Sequence, residues 1–275
     1  MDEGLAIAFY TNRLPGYLTI ASVRGRRGRN SYPLDSAKKI HTLTPFISVA
    51  EVSKSTFHTT SGQRKTSAVF ERVAESLKDQ KVTVREAAGR IQAALQSELV
   101  DRIDLKTELK IHQEDLLLAL EPRYGLRPTR SFIDLRTGSV YAEGIVLNTR
   151  QPFQTAVTLP PINVMVAGFN VSDGRVVPDV YDVKSPGDDT SIRKIILDDI
   201  PTICIAPSIG GEISPSKASM NLVKLIAEHS GPLTIDQAVN LIADSISKTT
   251  KENLKLPSQQ HIPLDLKVIK VLSDL

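Results

Sequence analysis

Tryptophan is absent from the 275 residues, and aromatic side chains make up only 5%. Leu, Ile, Val and Ala must therefore fill whatever core forms. A single cysteine, Cys204, excludes an intrachain disulfide framework and fits a reducing compartment. No run approaches the roughly 18 apolar residues of a membrane-spanning helix. The opening MDEGLAIAFYTN is acidic, and its apolar stretch is too short for a signal peptide. The expected location is cytoplasmic, with no membrane partner. The net charge of +3 is too small to argue by itself for a nucleic-acid binder. There is no GxxxxGK[ST] phosphate loop and no strand–GxGxxG–helix unit. The five histidines lack HxH, HExxH or His/Cys ligand spacing. Neither a cofactor nor a metal centre is expected.

The composition that is present, 41% hydrophobic and 24% charged, is that of an ordinary globular protein. The length allows one large domain or two small ones, and a single domain over 1–275 is the simpler count. GLAIAFY (4–10) and YLTIASV (17–23) predict a first hairpin around the turn signal TNRLPG. Residues 37–42 and 45–52 predict a second strand pair, turning at Thr44-Pro45. From Lys65 the apolar period becomes helical: Val69, Phe70, Val73, Ala74 and Leu77 form one stripe. A second stripe, Val84 to Leu95, follows Thr83, with Glu86 in capping-box position. DLKTELKIHQEDLLLALEPRYG is compatible with alternating or helical segments, and SFIDLRTGSVYAEGIVLNT predicts a hairpin around Thr137-Gly138. INVMVAGFN and PDVYDVKS predict another hairpin, turning at Asp173-Gly174. TICIAPSIGG begins as a strand, 216–229 and the segment after Thr234 predict two helices, and IPLDLKVIKVL predicts a closing strand. This order suits an α+β fold in which helices cover stacked antiparallel sheets.

GLAIAFYTN with GYLTIASVRG, then SAKKIHTLTPFISVA, the helix pair 66–79 and 83–98, and INVMVAGFNVSDG…VYDV appear in an order that resembles the proteasome β-type branch of the N-terminal-nucleophile hydrolases. The helix from Thr234 and the closing IPLDLKVI resemble that family's C-terminal elements. The resemblance implies a four-layer αββα sandwich of two stacked antiparallel sheets, with an insertion at about 99–161 that has no counterpart. It also implies a chemistry in which an amino-terminal Thr, Ser or Cys attacks a carbonyl while its own α-amine takes the proton. Here the chain opens Met1-Asp2-Glu3-Gly4, and Thr11 is the nearest hydroxyl, in a hairpin turn. Lys39 matches the lysine that assists the nucleophile, Ser208 the serine of a supporting loop, and Ser258 the serine before the last strand. The acidic residue expected near the end of the second strand is replaced by Ala21-Ser22-Val23-Arg24, and the Asp before Ser258 by Lys255. These departures imply a vestigial site.

Three readings follow from these residues. The first is a non-proteolytic, proteasome-like structural or interaction subunit forming a homo- or hetero-oligomer. The second keeps the fold as an N-terminal-nucleophile threonine or serine peptidase, or an amidohydrolase, with a relocated or processed nucleophile. The third is a nucleic-acid-associated module using Arg24, Arg26, Arg27 and Arg29, whose guanidinium groups also suit an acidic protein partner. No alternating aromatics accompany these arginines to stack bases. Cys204, inside TICIA, reads as a small buried hydrophobe rather than a nucleophile. The acidic pair Asp188-Asp189 reads as a solvated loop. Of the adjacent lysines, Lys38 is expected outward and Lys39 inward, on alternating strand faces.

Overall fold

The structure is a computed structural model. It describes residues 5–10, 14, 16–23, 38–52, 55–172, 175–187, 189–195, 202–205, 215–229, 231–253, 257–259, 261, 262 and 264–271. The chain is mixed α+β, and its strands pair antiparallel. It begins with β1 (Leu5–Phe9), β2 (Tyr17–Val23), β3 (Ile40–Thr44) and β4 (Ile47–Glu51). The small hairpin β5 (Thr56–Thr59) and β6 (Gly62–Lys65) leads into α1 (Thr66–Leu77) and α2 (Val84–Glu98). A single 3-10 turn precedes α3 (Leu105–Tyr124). Next come β7 (Leu126–Asp134), β8 (Ser139–Val146), β9 (Pro152–Thr158), β10 (Ile162–Ser172), β11 (Arg175–Ser185), β12 (Ile192–Ile195) and β13 (Thr202–Ile205). The chain continues with α4 (Pro215–Ala227), α5 (Ile235–Asn253) and β14 (Leu264–Lys270).

Two principal sheets organise the fold, one ordered β13-β1-β2-β14 and the other β12-β11-β10-β4-β3. Side-chain alternation sends each strand's residues to two different cores. Ala6, Ala8, Leu18 and Ile20 of the first sheet share one apolar cluster with Ile40, Ala50, Met165 and Ala167 of the second. The opposite face of the second sheet, carrying Ile47, Val49, Val164 and Val166, packs on Phe70, Val73, Ile91 and Leu95 of α1 and α2. The opposite face of the first, carrying Ile7, Phe9 and Ala21, packs on Leu222, Ala238, Ile242 and Ile246 of α4 and α5. Strands covered on both faces read as near-continuous apolar runs, which is why INVMVAGF lacks polar alternation. Close approach fixes the β3–β4 turn: a Cβ at Gly168 would stand 2.2 Å from the Phe46 carbonyl oxygen.

The segment after α2 builds a smaller unit. β7, β8 and β9 form a separate meander, and Leu109, Leu116 and Leu120 of α3 pack on Val140 and Ala142 of its sheet. Asp104 caps α3 by accepting from Thr107 N–H, and Gly125 ends it at φ 63°. The unit is fastened to β5 through the backbone: Asp104 N–H donates to the His58 carbonyl and Thr60 N–H to that of Arg102, both at 2.9 Å. Buried Glu108 adds to this by accepting from His58 N–H at 2.6 Å.

Helix expectations agree with the structure to within two residues for α1 and α2, and Thr83 and Glu86 form the expected capping box. Thr234 also exchanges hydrogen bonds with Gln237 at the start of α5. Residues 105–124, compatible with alternating or helical segments, are one helix of 20 residues, a third helix between the two expected pairs. The hairpin β5–β6, β9 and β12 were not expected. β6 is exposed at every position and β9 has only two apolar side chains at period two, so neither carries a clear strand pattern. In β14, Ile269 is buried and Leu266 is exposed. The Asp173-Gly174 turn lies outside the described residues. No helix among the described residues is long and apolar enough to cross a membrane.

Candidate functional site

The adjacent lysines part as their alternation requires: Lys38 is exposed and Lys39 buried. Lys39 lies just before β3, where three backbone bonds hold it. Its N–H and that of Ile40 both donate to Asp265 Oδ2, each at 2.8 Å. Its carbonyl accepts from Glu51 N–H at 2.8 Å. β14, which carries Asp265, thus stitches the first sheet to the edge of the second.

The ammonium of Lys39 stands 3.3 Å from Glu51 Oε2. Glu51 shares the parity of Ile47 and Val49, so its side chain lies on the face of the sheet that α1 covers. There its Oε1 accepts from the hydroxyl of Thr66, the first residue of α1, at 2.5 Å. Thr66 is held in turn by the Ser55 carbonyl, which accepts its N–H at 3.0 Å and lies 3.2 Å from its hydroxyl oxygen. His41 joins the group: its Nε2 lies 3.6 Å from Glu51 Oε1, and its ring leans on Phe70 at 5.3 Å. The main chain of Glu51 is fixed as well, its carbonyl accepting from Ser22 Oγ at 3.0 Å. Burial is nearly complete, with Glu51 at 2% exposure and Thr66 at 1%. A carboxylate so placed is tolerable because a cation and a hydroxyl donor face it.

This cluster lies beside a cleft of about 1380 Å³ between the β3–β4 turn and α1, lined by His41, Phe46, Glu51, Ser67, Glu71 and Asn170 among others. Charges of both signs ring the cleft, Lys38, Lys65 and Lys78 with Glu71, Glu75 and Glu86. Nearby Lys267 bonds to the Thr42 hydroxyl. Burial pushes its ammonium below the usual lysine range, neighbouring Lys38 adds to that, and Asp265 opposes it. A second polar group crosses β10–β12. Asp179 accepts from Asn170 at 2.6 Å and pairs with Lys194 at 2.7 Å, while Asn170 accepts from Val84 N–H at the start of α2. The Asp179 hydrogen bond raises Lys194 above the usual lysine range. Burial first, then the Asp179 charge, raises the Tyr181 phenol.

Of the site candidates from sequence that are among the described residues, Lys39 enters the cluster. Ser258 is on an exposed turn after α5, where its carbonyl accepts from Lys251 Nζ at 2.8 Å. Ser208, Arg24, Arg26, Arg27 and Arg29 lie outside the described residues, as do Lys255 and the side chain of Cys204. Among the described residues no group of three or more His, Cys, Asp or Glu is arranged to hold a metal ion. Glu51, Thr66 and Asp265 went unremarked in the sequence, and His41 was weighed there only as one of five histidines without metal-ligand spacing. Glu51 carried a signal, because a carboxylate in phase with Ile47 and Val49 is directed at the same core. Asp265 carried none, since its partners are 226 and 225 residues away.

No protein-family model matches the chain. It matches no curated protein either.

Proposed function

We propose that this chain is a non-proteolytic, proteasome-like structural or interaction protein. The carrying observation is the buried ion pair of Lys39 with Glu51. The two charges face each other at 3.3 Å, and the Thr66 hydroxyl beside them donates to the same carboxylate. A nucleophile must reach a substrate carbonyl, yet Thr66 is 1% exposed. The group instead joins β3, β4 and the first turn of α1. The four-layer αββα reading draws support from the core shared by the two sheets and from the helix pair on each outer face.

The second reading, an amide hydrolase with a relocated nucleophile, has one observation in its favour. Thr66, Glu51 and Lys39 put a hydroxyl, a carboxylate and an ammonium together beside a large cleft. Incubating the full chain with a panel of fluorogenic peptide amides separates the two. The expected result is no turnover above that of Thr66→Val. Turnover that vanishes in a folded Thr66→Val or Lys39→Ala variant would replace the first reading by the second.

A further inference from the structure

We infer that β9 is a self-pairing strand, through which two copies of this chain join their three-stranded sheets into one. The inference goes beyond the reading above and holds whether or not the rest of the molecule has hydrolytic chemistry.

Edge strands present unpaired backbone groups, and proteins ordinarily blunt them with charge, proline, bulges or brevity. The other edges here follow that rule. β12 and β13 span only four residues each, and β12 carries Arg193 and Lys194. β14 carries Asp265, Lys267 and Lys270. β3 has Asp265 across its first amides and Lys267 on Thr42. β7, the opposite edge of the meander, contains Arg127, Pro128 and Arg130 and a register shift between Pro128 and Arg130. β9, PFQTAVT, has none of these inside it. It runs seven residues without a charge and pairs with β8 in unbroken register. Its one proline, Pro152, is the first residue.

The register also says which backbone groups face outward. Leu159 N–H donates to the Gly138 carbonyl at one end of the β8–β9 ladder, and Val146 N–H to that of Gln151 at the other. Antiparallel ladders alternate hydrogen-bonded and non-bonded pairs. The odd-numbered residues Phe153, Thr155 and Val157 are therefore those bonded to β8. The N–H and C=O groups of Gln154, Ala156 and Thr158, with the Pro152 carbonyl, point away from the sheet, and β8 is the only strand that pairs with β9 among the described residues.

An antiparallel pairing of two β9 strands about Thr155 uses all of these groups. Gln154 then faces Ala156 of the second copy, and Thr158 faces Pro152. On the face that α3 covers, Phe153 meets Val157 and Thr155 meets Thr155, an aromatic with β-branched pair and a threonine pair, both favourable across strands. No like charges come together. The same strand thus supplies both halves of a two-fold contact, as an isologous interface requires.

Sedimentation of the full chain at about 100 μM, where even a micromolar pairing is populated, should show a dimer. Ala156→Pro removes one outward N–H per copy and should weaken the dimer roughly tenfold or more, because two interchain bonds are lost. Ala156→Lys, on an exposed side chain, tests the same edge should the proline disturb the strand, with circular dichroism checking the fold of both. In a Cys204→Ser background, Thr155→Cys should oxidise to a covalent dimer, since directly opposed non-bonded residues have Cα atoms about 4.5 Å apart, within disulfide range. Gln154→Cys, one step off the axis, should not. A monomer at this concentration, a dimer indifferent to both Ala156 variants, or one that fails to cross-link at 155 would overturn the inference.

Discussion

The sheet of β3, β4, β10, β11 and β12 and the meander of β7, β8 and β9 are built from similar residues but are covered differently. β4 is buried at every position, with apolar clusters on both faces. β9 alternates exposed and half-buried residues, because α3 covers one face of its sheet. Covering both faces leaves nowhere to place a charge except against a partner, and Glu51 has Lys39 and Thr66. Covering one face leaves charges in water, where Arg130 and Glu143 sit 3.5 Å apart at the surface. Stability in the first region rests on burial and a compensated ion pair. In the second it rests on one thin core and many exposed hydrogen bonds.

The contrast can be broken most severely at Phe70, fully buried between α1 and the larger sheet. Phe70→Ala should cost about 4 kcal/mol in denaturant unfolding of the whole chain. A loss below about 1 kcal/mol would mean that this core is not what holds the body together. Next, Glu51→Gln keeps shape but leaves the buried Lys39 ammonium facing a neutral amide, at a cost of about 3 kcal/mol. Replacing both, Lys39→Met with Glu51→Met, should recover most of it. Failure to recover would show that Thr66 or His41 depends on the carboxylate more than Lys39 does.

Leu116→Ala, in the core beneath α3, should cost roughly 2 to 3 kcal/mol, and amide exchange should accelerate in β7–β9 before it does in β4 and β10. Simultaneous acceleration would make the two regions one cooperative unit. Thr83→Ala removes the side-chain cap of α2 and should lower stability by about 1 kcal/mol.

Acid gives the smallest contrast. Asp104 is held below the usual carboxylate range by the Thr107 side chain, Glu121 by its bond to Arg127, and Asp134 by the Arg136 amide. Glu86 is lowered likewise by the backbone amide of Thr83. Each folded value lies below its unfolded one, so the stabilisation is present above the ordinary carboxylate range and fades as pH falls through the lowered values. Three of these four groups belong to the smaller unit or its first cap. Exchange normalised for intrinsic rate should therefore rise first in residues 105–158. An equal rise in both regions would remove the distinction.

Periodicity made the covered elements readable. The stripes of α1, α2 and α5 and the runs of β1, β2 and β10 each carry enough apolar residues in phase to announce their type. α3 was harder because Leu116, Leu117 and Leu118 point in three directions while only one side meets the sheet, leaving Leu118 half exposed. β6 lacked apolar phase altogether, and β9 carried it at only two positions, Phe153 and Val157. In the site, Lys39 was legible from alternation with Lys38, and Glu51 from its phase with Ile47 and Val49. Thr66 and Asp265 were not, because Thr66 looks like any first helical residue and Asp265 comes from the far end of the chain. Pair distances across such separations are set by packing, which one-dimensional pattern does not record.

Whether the Lys39 cluster ties the fold together or attacks a substrate is decided by covalent trapping. The full chain is incubated with a peptide carrying a carbonyl-type electrophile selective for activated hydroxyls or thiols, and its intact mass is followed. The mass should stay unchanged if the cluster only ties the fold together. A single adduct mapping to a hydroxyl, thiol or amino terminus beside Lys39, and absent from a folded Lys39→Ala variant, would contradict it.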